Sequence, residues 1–249
     1  HGALCMGESY EDAFAVAAEL EKVCAAFICR KYGELTGTIA SSLETVYDFV
    51  AHRFENKKFA AAPQFEACNS ARDGSVFNIS AVNGNGEVSR IDIKTGDLVA
   101  GDNYPASAEL HRAIYKKRKD VNYIVHNQNP EVMAVSKTTK VMKPLLDDLA
   151  QLVGVTVKNA AFNPNSTLKS SKKVVRALKG RNGVLLANNG ALCVAGSEYD
   201  ATAVEMVMEK GCKAEVGKKL FGTGKPINPI ETRLMRFVYL QKYSKQAKK

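Results

Sequence analysis

The sequence predicts a three-layer α/β/α domain built on a mixed, mainly antiparallel central sheet. Three observations carry this. Segments of strand type alternate with segments of helical period along most of the chain. Turn sequences rich in Gly, Asn and Asp (NGNGE at 83–87, TGD at 95–97) place hairpins among them. And 249 residues, 45% of them hydrophobic, are enough to bury a core without disulfide or metal staples.

Taken in order, GALC at 2–5 is a short strand, and a long Ala-rich helix follows to about residue 28. Ser41–Lys57 is a helix opened by a Ser, with Glu44 expected to complete a capping box. The stretch 60–82 is loop followed by the strand SVFNISAV, and VSRIDI and LVAG continue as hairpin strands. A helix starts at His111–Arg118, VNYIVH (121–126) is a buried strand, and VMAVSKT is helical. VTVKNAAF is a strand, Lys169–Lys179 a basic amphipathic helix, and GVLLANNGALCVAG (183–196) one apolar strand with a polar break. A second long helix follows. The amphipathic segment 231–243 is expected to pack on its own domain.

Composition excludes a disordered, collagen-like or disulfide-scaffold chain, and no run approaches the ~18 apolar residues of a membrane span. Nothing at the start has the pattern of a secretory leader, and His1 is expected to be an internal residue of a longer protein or a cloning boundary. The six cysteines form neither a CxxC pair nor a zinc spacing, so they are expected to be reduced and buried, in a cytoplasmic protein.

An internal repeat joins the two ends. At a fixed offset of 188, residues 1–26 and 189–214 are identical at 13 positions, including Gly2/Gly190, Cys5/Cys193, Asp12/Asp200 and Cys24/Cys212. Chance would give about one or two. Residues 1–28 are therefore expected to be the strand–helix remnant of a preceding domain, and 29–249 the next domain of a tandem array. Charge is equally uneven: residues 210–249 hold 11 Lys/Arg against Glu215 and Glu231, which is the whole net charge of +9. A basic end of this kind suits an acidic protein surface or an anionic membrane.

Two segments carry a resemblance. HRAIYKKRKDVNYIVHNQNPEVMAVS (111–136) and VLLANNGALCVAGSEYDATA (184–203) resemble the class II aldolase/adducin family's helix and His-x-His metal strand, and its later His-Gly strand and helix. SVFNIS (75–80) stands where the family is taken to carry a Gly-Asn-x-Ser phosphate turn. The resemblance implies a class II aldolase-like fold and homo-oligomers. In catalytic members it implies three histidines on Zn²⁺, which polarises substrate oxygens, and a glutamate that moves the proton.

This chain departs from that pattern. His126 keeps the first metal position, Gln128 replaces the second and Asn189 the third. Amide oxygens are poor zinc ligands. Glu109 is the candidate catalytic carboxylate, yet it lies two residues before His111 where the family's lies four before, at Ser107. Phe77 stands where the phosphate turn needs Gly, leaving Asn78, Ser80 and Ser107 as candidate ligand-binding residues. His1 would occupy the third-ligand position of the upstream copy. The expected function is a non-catalytic, adducin-like scaffold module acting at the cytoskeleton through its basic end, with actin filaments as the implied partner. No cofactor is expected. The alternative is a divergent metal-dependent lyase acting on a sugar phosphate, with zinc or another metal on His126, Gln128 and Asn189. Nucleic acid is not expected, because only the charge of the tail speaks for it.

Overall fold

Short β-type segments assemble into one mixed sheet of nine strands. They are β1 (Cys68–Asp73), β2 (Val76–Ala81), β3 (Ser89–Asp92), β4 (Leu98–Ala100), β5 (Tyr123–Asn127), β6 (Val141–Met142), β7 (Val157–Ala160), β8 (Gly183–Leu186) and β9 (Ala191–Ala195). Their order across the sheet is β4-β3-β2-β1-β5-β9-β8-β7-β6, antiparallel throughout except for the β7–β8 pair. The computed structural model describes residues 3–243. His1, the upstream metal position, and Lys245, Lys248 and Lys249 of the basic end lie outside the described residues.

Helices cover both faces: α1 (Tyr10–Thr36), α2 (Leu43–Arg53), α3 (Lys57–Ala60), α4 (Ala108–Lys117), α5 (Pro130–Thr138), α6 (Thr167–Ala177), α7 (Glu198–Phe221) and α8 (Pro229–Val238). Alternation along the central strands separates two cores. Leu185, Ala191 and Cys193 pack with Val46 and Val50 of α2, Val132 and Val135 of α5, and Val204, Met208 and Cys212 of α7. Val184, Leu186, Leu192 and Val194 point the other way, to Leu110, Ile114 and Tyr115 of α4 and Val174 of α6. The expected three layers are present.

Several local expectations need correction. The apolar stretch 183–195 is a hairpin, not one strand, because Asn188 adopts φ +59° and Gly190 φ +80° and the chain reverses between them. β1 occupies what was read as loop; its sequence CNSARD has no apolar alternation to betray it. The Ser42 hydroxyl accepts from Thr45 N and no reciprocal box with Glu44 forms. The reciprocal capping box belongs to Ser9 and Asp12 at the start of α1. That helix continues unbroken to Thr36. Helix α8 does pack on its own domain, but through Thr232 and Arg236, while Ile230, Leu234 and Phe237 face solvent. All six cysteines are free; Cys29, Cys68, Cys193 and Cys212 are buried and Cys24 is exposed. No helix among the described residues is long and apolar enough to cross a membrane.

Gly190 permits the closest approach in the sheet. A Cβ there would lie 2.1 Å from the Asn127 carbonyl oxygen of β5, at a φ that L side chains avoid. Gly190→Ala is expected to lower stability by about 2–5 kcal/mol, the sum of left-handed strain and forced strand separation. Urea denaturation checks this, and a loss below about 1 kcal/mol would show that the β5–β9 ladder yields freely.

Candidate functional site

β5 and β9 are neighbours, so the hairpin turn 187–190 lies against the end of β5, and His126 meets Asn189 there. His126 shares a sheet face with Ile124 and is buried under α4. Its Nε2 donates to the Asn189 carbonyl at 2.6 Å, which leaves Nδ1 a buried acceptor with no partner. Its backbone N–H donates to Asn69 Oδ1 at 2.8 Å, and the Phe65 ring lies 5.7 Å away. Burial pulls the imidazole pKa down to about 4, against a smaller upward pull from the Asn189 carbonyl.

Asn189 is fully buried and its carboxamide is saturated. Oδ1 accepts from Phe65 N at 3.0 Å, and Nδ2 donates to the carbonyls of Pro63 and Ala187, both at 2.8 Å. Asn188 Nδ2 adds a bond to the Ala62 carbonyl at 2.9 Å. The segment 62–65 is thus stitched over the turn. Gln128, the remaining metal position, is solvent-exposed.

These donors do not fit zinc. The set offers a single imidazole nitrogen, Nδ1 of His126, beside two amides, of which Asn189 already accepts from Phe65 N and Gln128 is exposed. Among the described residues, no group of three or more His, Cys, Asp or Glu side chains is placed to hold a metal ion.

The other candidate residues are not gathered around His126. Glu109 accepts from Arg112 through both oxygens, at 2.9 and 2.7 Å, and from the Tyr104 hydroxyl at 2.6 Å. Partial burial would raise its carboxyl pKa, but the Arg112 and Tyr104 hydrogen bonds outweigh that and hold it below the usual range, an ion-paired carboxylate rather than a poised base. Asn78 and Ser80 lie on β2, a regular strand separated from β5 by β1, so no phosphate turn exists at 77–80. Phe77 is fully buried, with its ring 5.3 Å from that of Tyr115. Ser107 is fully buried beside the Cys68 thiol, and its hydroxyl has no hydrogen-bond partner.

Two polar contributors escape a sequence reading. Asn69 lies in the undetected strand β1. His111 is one helical turn beyond Ser107 on α4, where its motif gives no hint of burial. It is fully buried; Nδ1 bonds Ser70 Oγ at 2.7 Å, Ser70 Oγ bonds Tyr115 OH at 2.8 Å, and Nε2 has no partner. Burial first, and then the charge of His126, pull its pKa down to about 3. The site is therefore a buried polar knot with two neutral imidazoles.

Comparisons with known proteins agree with this fold. The family model described as "Class II Aldolase and Adducin N-terminal domain" matches residues 80–216, more than half of the chain, and the protein belongs to that family. It is 26% identical over 103 residues to the 5-deoxy-D-ribulose 1-phosphate aldolase of Bacillus thuringiensis serovar kurstaki, covering 41% of this chain and 48% of that protein. An aldolase class 2 protein of Caulobacter vibrioides is 25% identical over 116 residues, 45% of this chain and 44% of that one. The chain thus spans about half the length of the curated relatives it matches. Among solved structures, an L-fuculose 1-phosphate aldolase superposes with TM-score 0.62 at 23% identity, over 80% of this chain and 97% of the other. A Thermotoga maritima sugar-phosphate aldolase does so with TM-score 0.51 at 14% identity, over 73% and 97%. At such identities the superpositions speak for the fold alone.

The two histidines set a pH dependence. Both folded pKa values lie below the ordinary 6.5, so the unfolded chain binds more protons on acidification. Their contribution is present in full above pH 6.5 and is lost as pH falls toward about 4. Each adds a slope of up to about 1.4 kcal/mol per pH unit. Glu131 and Glu205, whose carboxyl pKa values burial pushes up, act in the opposite sense, so comparison with a variant isolates the effect. Urea midpoints between pH 6.5 and 5 should fall less steeply for His126→Gln than for the wild type. Equal slopes would mean that His126 is protonated in the fold.

Proposed function

We propose that this chain is a class II aldolase-fold module that has given up zinc chemistry and serves as a protein-interaction element. The observation that carries the reading is the internal saturation of the former metal positions: His126 Nε2 on the Asn189 carbonyl, and the Asn189 amide on Pro63, Phe65 and Ala187. A substrate oxygen or a metal would have to break these bonds in a buried place, where each orphaned group costs about 1–3 kcal/mol.

The surface supports an interaction role. Helix α8 presents Ile230, Leu234 and Phe237 to solvent, next to Arg233. We place the contact with an acidic protein surface here, with actin filaments as the first partner to test. The basic end contributes less free charge than its sequence suggests. Lys210 pairs with Asp148 at 2.6 Å, Lys213 with Glu209 at 2.7 Å, and Lys218 with Glu215 at 3.3 Å, while Arg236 is buried. The competing reading, a divergent lyase on a sugar phosphate, is favoured by the names of the matched relatives, a 5-deoxy-D-ribulose 1-phosphate aldolase and an L-fuculose 1-phosphate aldolase.

Protein purified without chelator should carry no stoichiometric zinc, gain none on titration, and cleave neither of those two sugar phosphates. One zinc per chain, or cleavage of either ketose phosphate, would overturn the non-catalytic reading. In co-sedimentation at physiological salt, saturable pelleting with actin filaments is expected. Leu234→Asp with Phe237→Asp should weaken it by about tenfold, or 1.4 kcal/mol, with unchanged melting, since both side chains are exposed. Absence of pelleting would remove actin, and pelleting with anionic vesicles alone would replace the protein partner by a membrane.

A further inference from the structure

The N-terminal segment presents an apolar face to solvent. Over residues 10–24, helix α1 leaves Phe14, Val16, Leu20 and Val23 exposed, and the preceding Leu4 and Met6 are exposed as well. The internal repeat says what this face is for. Helices α1 and α7 begin at equivalent positions, Tyr10 and Glu198, and carry the same cap: Ser9 accepts from Asp12 N and Ser197 from Asp200 N, each at 3.1 Å.

At the same offset, the stripe that α7 buries coincides with the apolar stripe that α1 exposes. Val16 is 47% exposed and its counterpart Val204 3%; Leu20 is 38% exposed and Met208 0%. Cys24 is exposed, whereas Cys212 is buried. The strand follows suit. Leu4 is 86% exposed and Leu192 0%, and Ala3–Cys5, unpaired here, correspond to Ala191–Cys193, hydrogen-bonded between β5 and β8 at the middle of the sheet. Leu4, Val16 and Cys24 of this exposed face are identical to Leu192, Val204 and Cys212, which β9 and α7 bury.

We propose that residues 2–28 are the closing strand–helix pair of a second class II aldolase-like unit in the same polypeptide, preceding this one. In that unit Ala3–Cys5 fill the central sheet slot and the Val16–Leu20–Cys24 stripe of α1 covers the sheet. The far end of α1 belongs to the unit described here. Cys29 is buried in its core, Phe27 stacks on Phe221 at 5.5 Å, and Tyr32 meets Phe49 edge-on at 5.1 Å. One uninterrupted helix is thus shared by two sheets and couples them rigidly, with no flexible linker between. This assignment goes beyond the scaffold role and does not rest on it.

The test begins with the transcript. Sequencing the 188 codons upstream of His1, the repeat offset, should show an in-frame stretch resembling residues 40–188. A start codon next to His1, or unrelated sequence throughout, would overturn the proposal. In the longer protein, Val16→Asp with Leu20→Asp should lower one of two calorimetric transitions and leave the other in place. If both transitions, or neither, respond, the shared-helix assignment fails. The 249-residue chain alone should sediment as a species in which the amides of residues 10–24 exchange rapidly. A dimer that Val16→Asp dissociates would instead make a second copy of this chain the occupant.

Discussion

Asn189 ties together three parts of the chain that are far apart in sequence. Its carbonyl receives the His126 imidazole from β5, its carboxamide receives Phe65 N and gives protons to Pro63 and Ala187, and the turn that holds it needs Gly190 beneath the Asn127 carbonyl. Asn189, His126 and Ala187 are buried, so their polar groups would be costly to leave unpaired. The arrangement fixes the β5–β9 register and pins the segment before β1 across the end of the sheet. An imidazole at residue 189 has no carboxamide with which to bind Phe65 N and Pro63 O together, so closing the site and keeping the ligand are alternatives.

The rest of the polar interior follows from that closure. With the sheet end sealed, Ser70, Ser107, His111 and His126 lie between α4 and the sheet, and Ser107 Oγ, His111 Nε2 and His126 Nδ1 have no donor or acceptor to meet. Neutral imidazoles tolerate this better than charged ones, which is why burial depresses both pKa values. Arg72 braces the same region from outside, donating to the Tyr115 and Arg118 carbonyls at the end of α4 and lying 4.8 Å over the Tyr115 ring. The end of the helix over the polar knot is held by backbone-directed guanidinium bonds.

Much of the layer architecture was legible in the sequence because it rests on periodicity: VNYIVH, the apolar hairpin and the long capped helix all carry strong patterns. What stayed hidden has identifiable physical reasons. CNSARD folds as an interior strand because β2 and β5 supply its hydrogen bonds from both sides, which no local preference encodes. The break at 187–190 was visible as polarity, but a reversal needs two positive φ values, one of them at an Asn. The site was half legible. Substitutions at Gln128 and Asn189 could be seen, and the poor fit to zinc followed from side-chain chemistry. The partners of Asn189 could not be seen, since Pro63 and Phe65 are more than 120 residues away.

Charge shows the same boundary between linear and spatial information. Along the chain, residues 210–249 hold the whole excess of positive charge, yet some of their carboxylate partners come from other elements, Asp148 beside the π-helical turn Leu149–Val153 and Glu131 on α5, and others from α7 itself, Glu209 and Glu215. Arg236 is farther still from a solvated cation, because it donates to the Leu152 carbonyl at the end of that π-helical turn and is buried under α8. Helix α8 turns Thr232 and Arg236 inward, each with a hydrogen bond to a backbone carbonyl, and Ile230, Leu234 and Phe237 outward beside Glu231 and Arg233, an arrangement unlike an ordinary surface helix. The polar anchoring of α8 and the self-saturation of Asn189 are the same physical device. In both, hydrogen bonds satisfied inside the chain set what the surface has left to offer a partner.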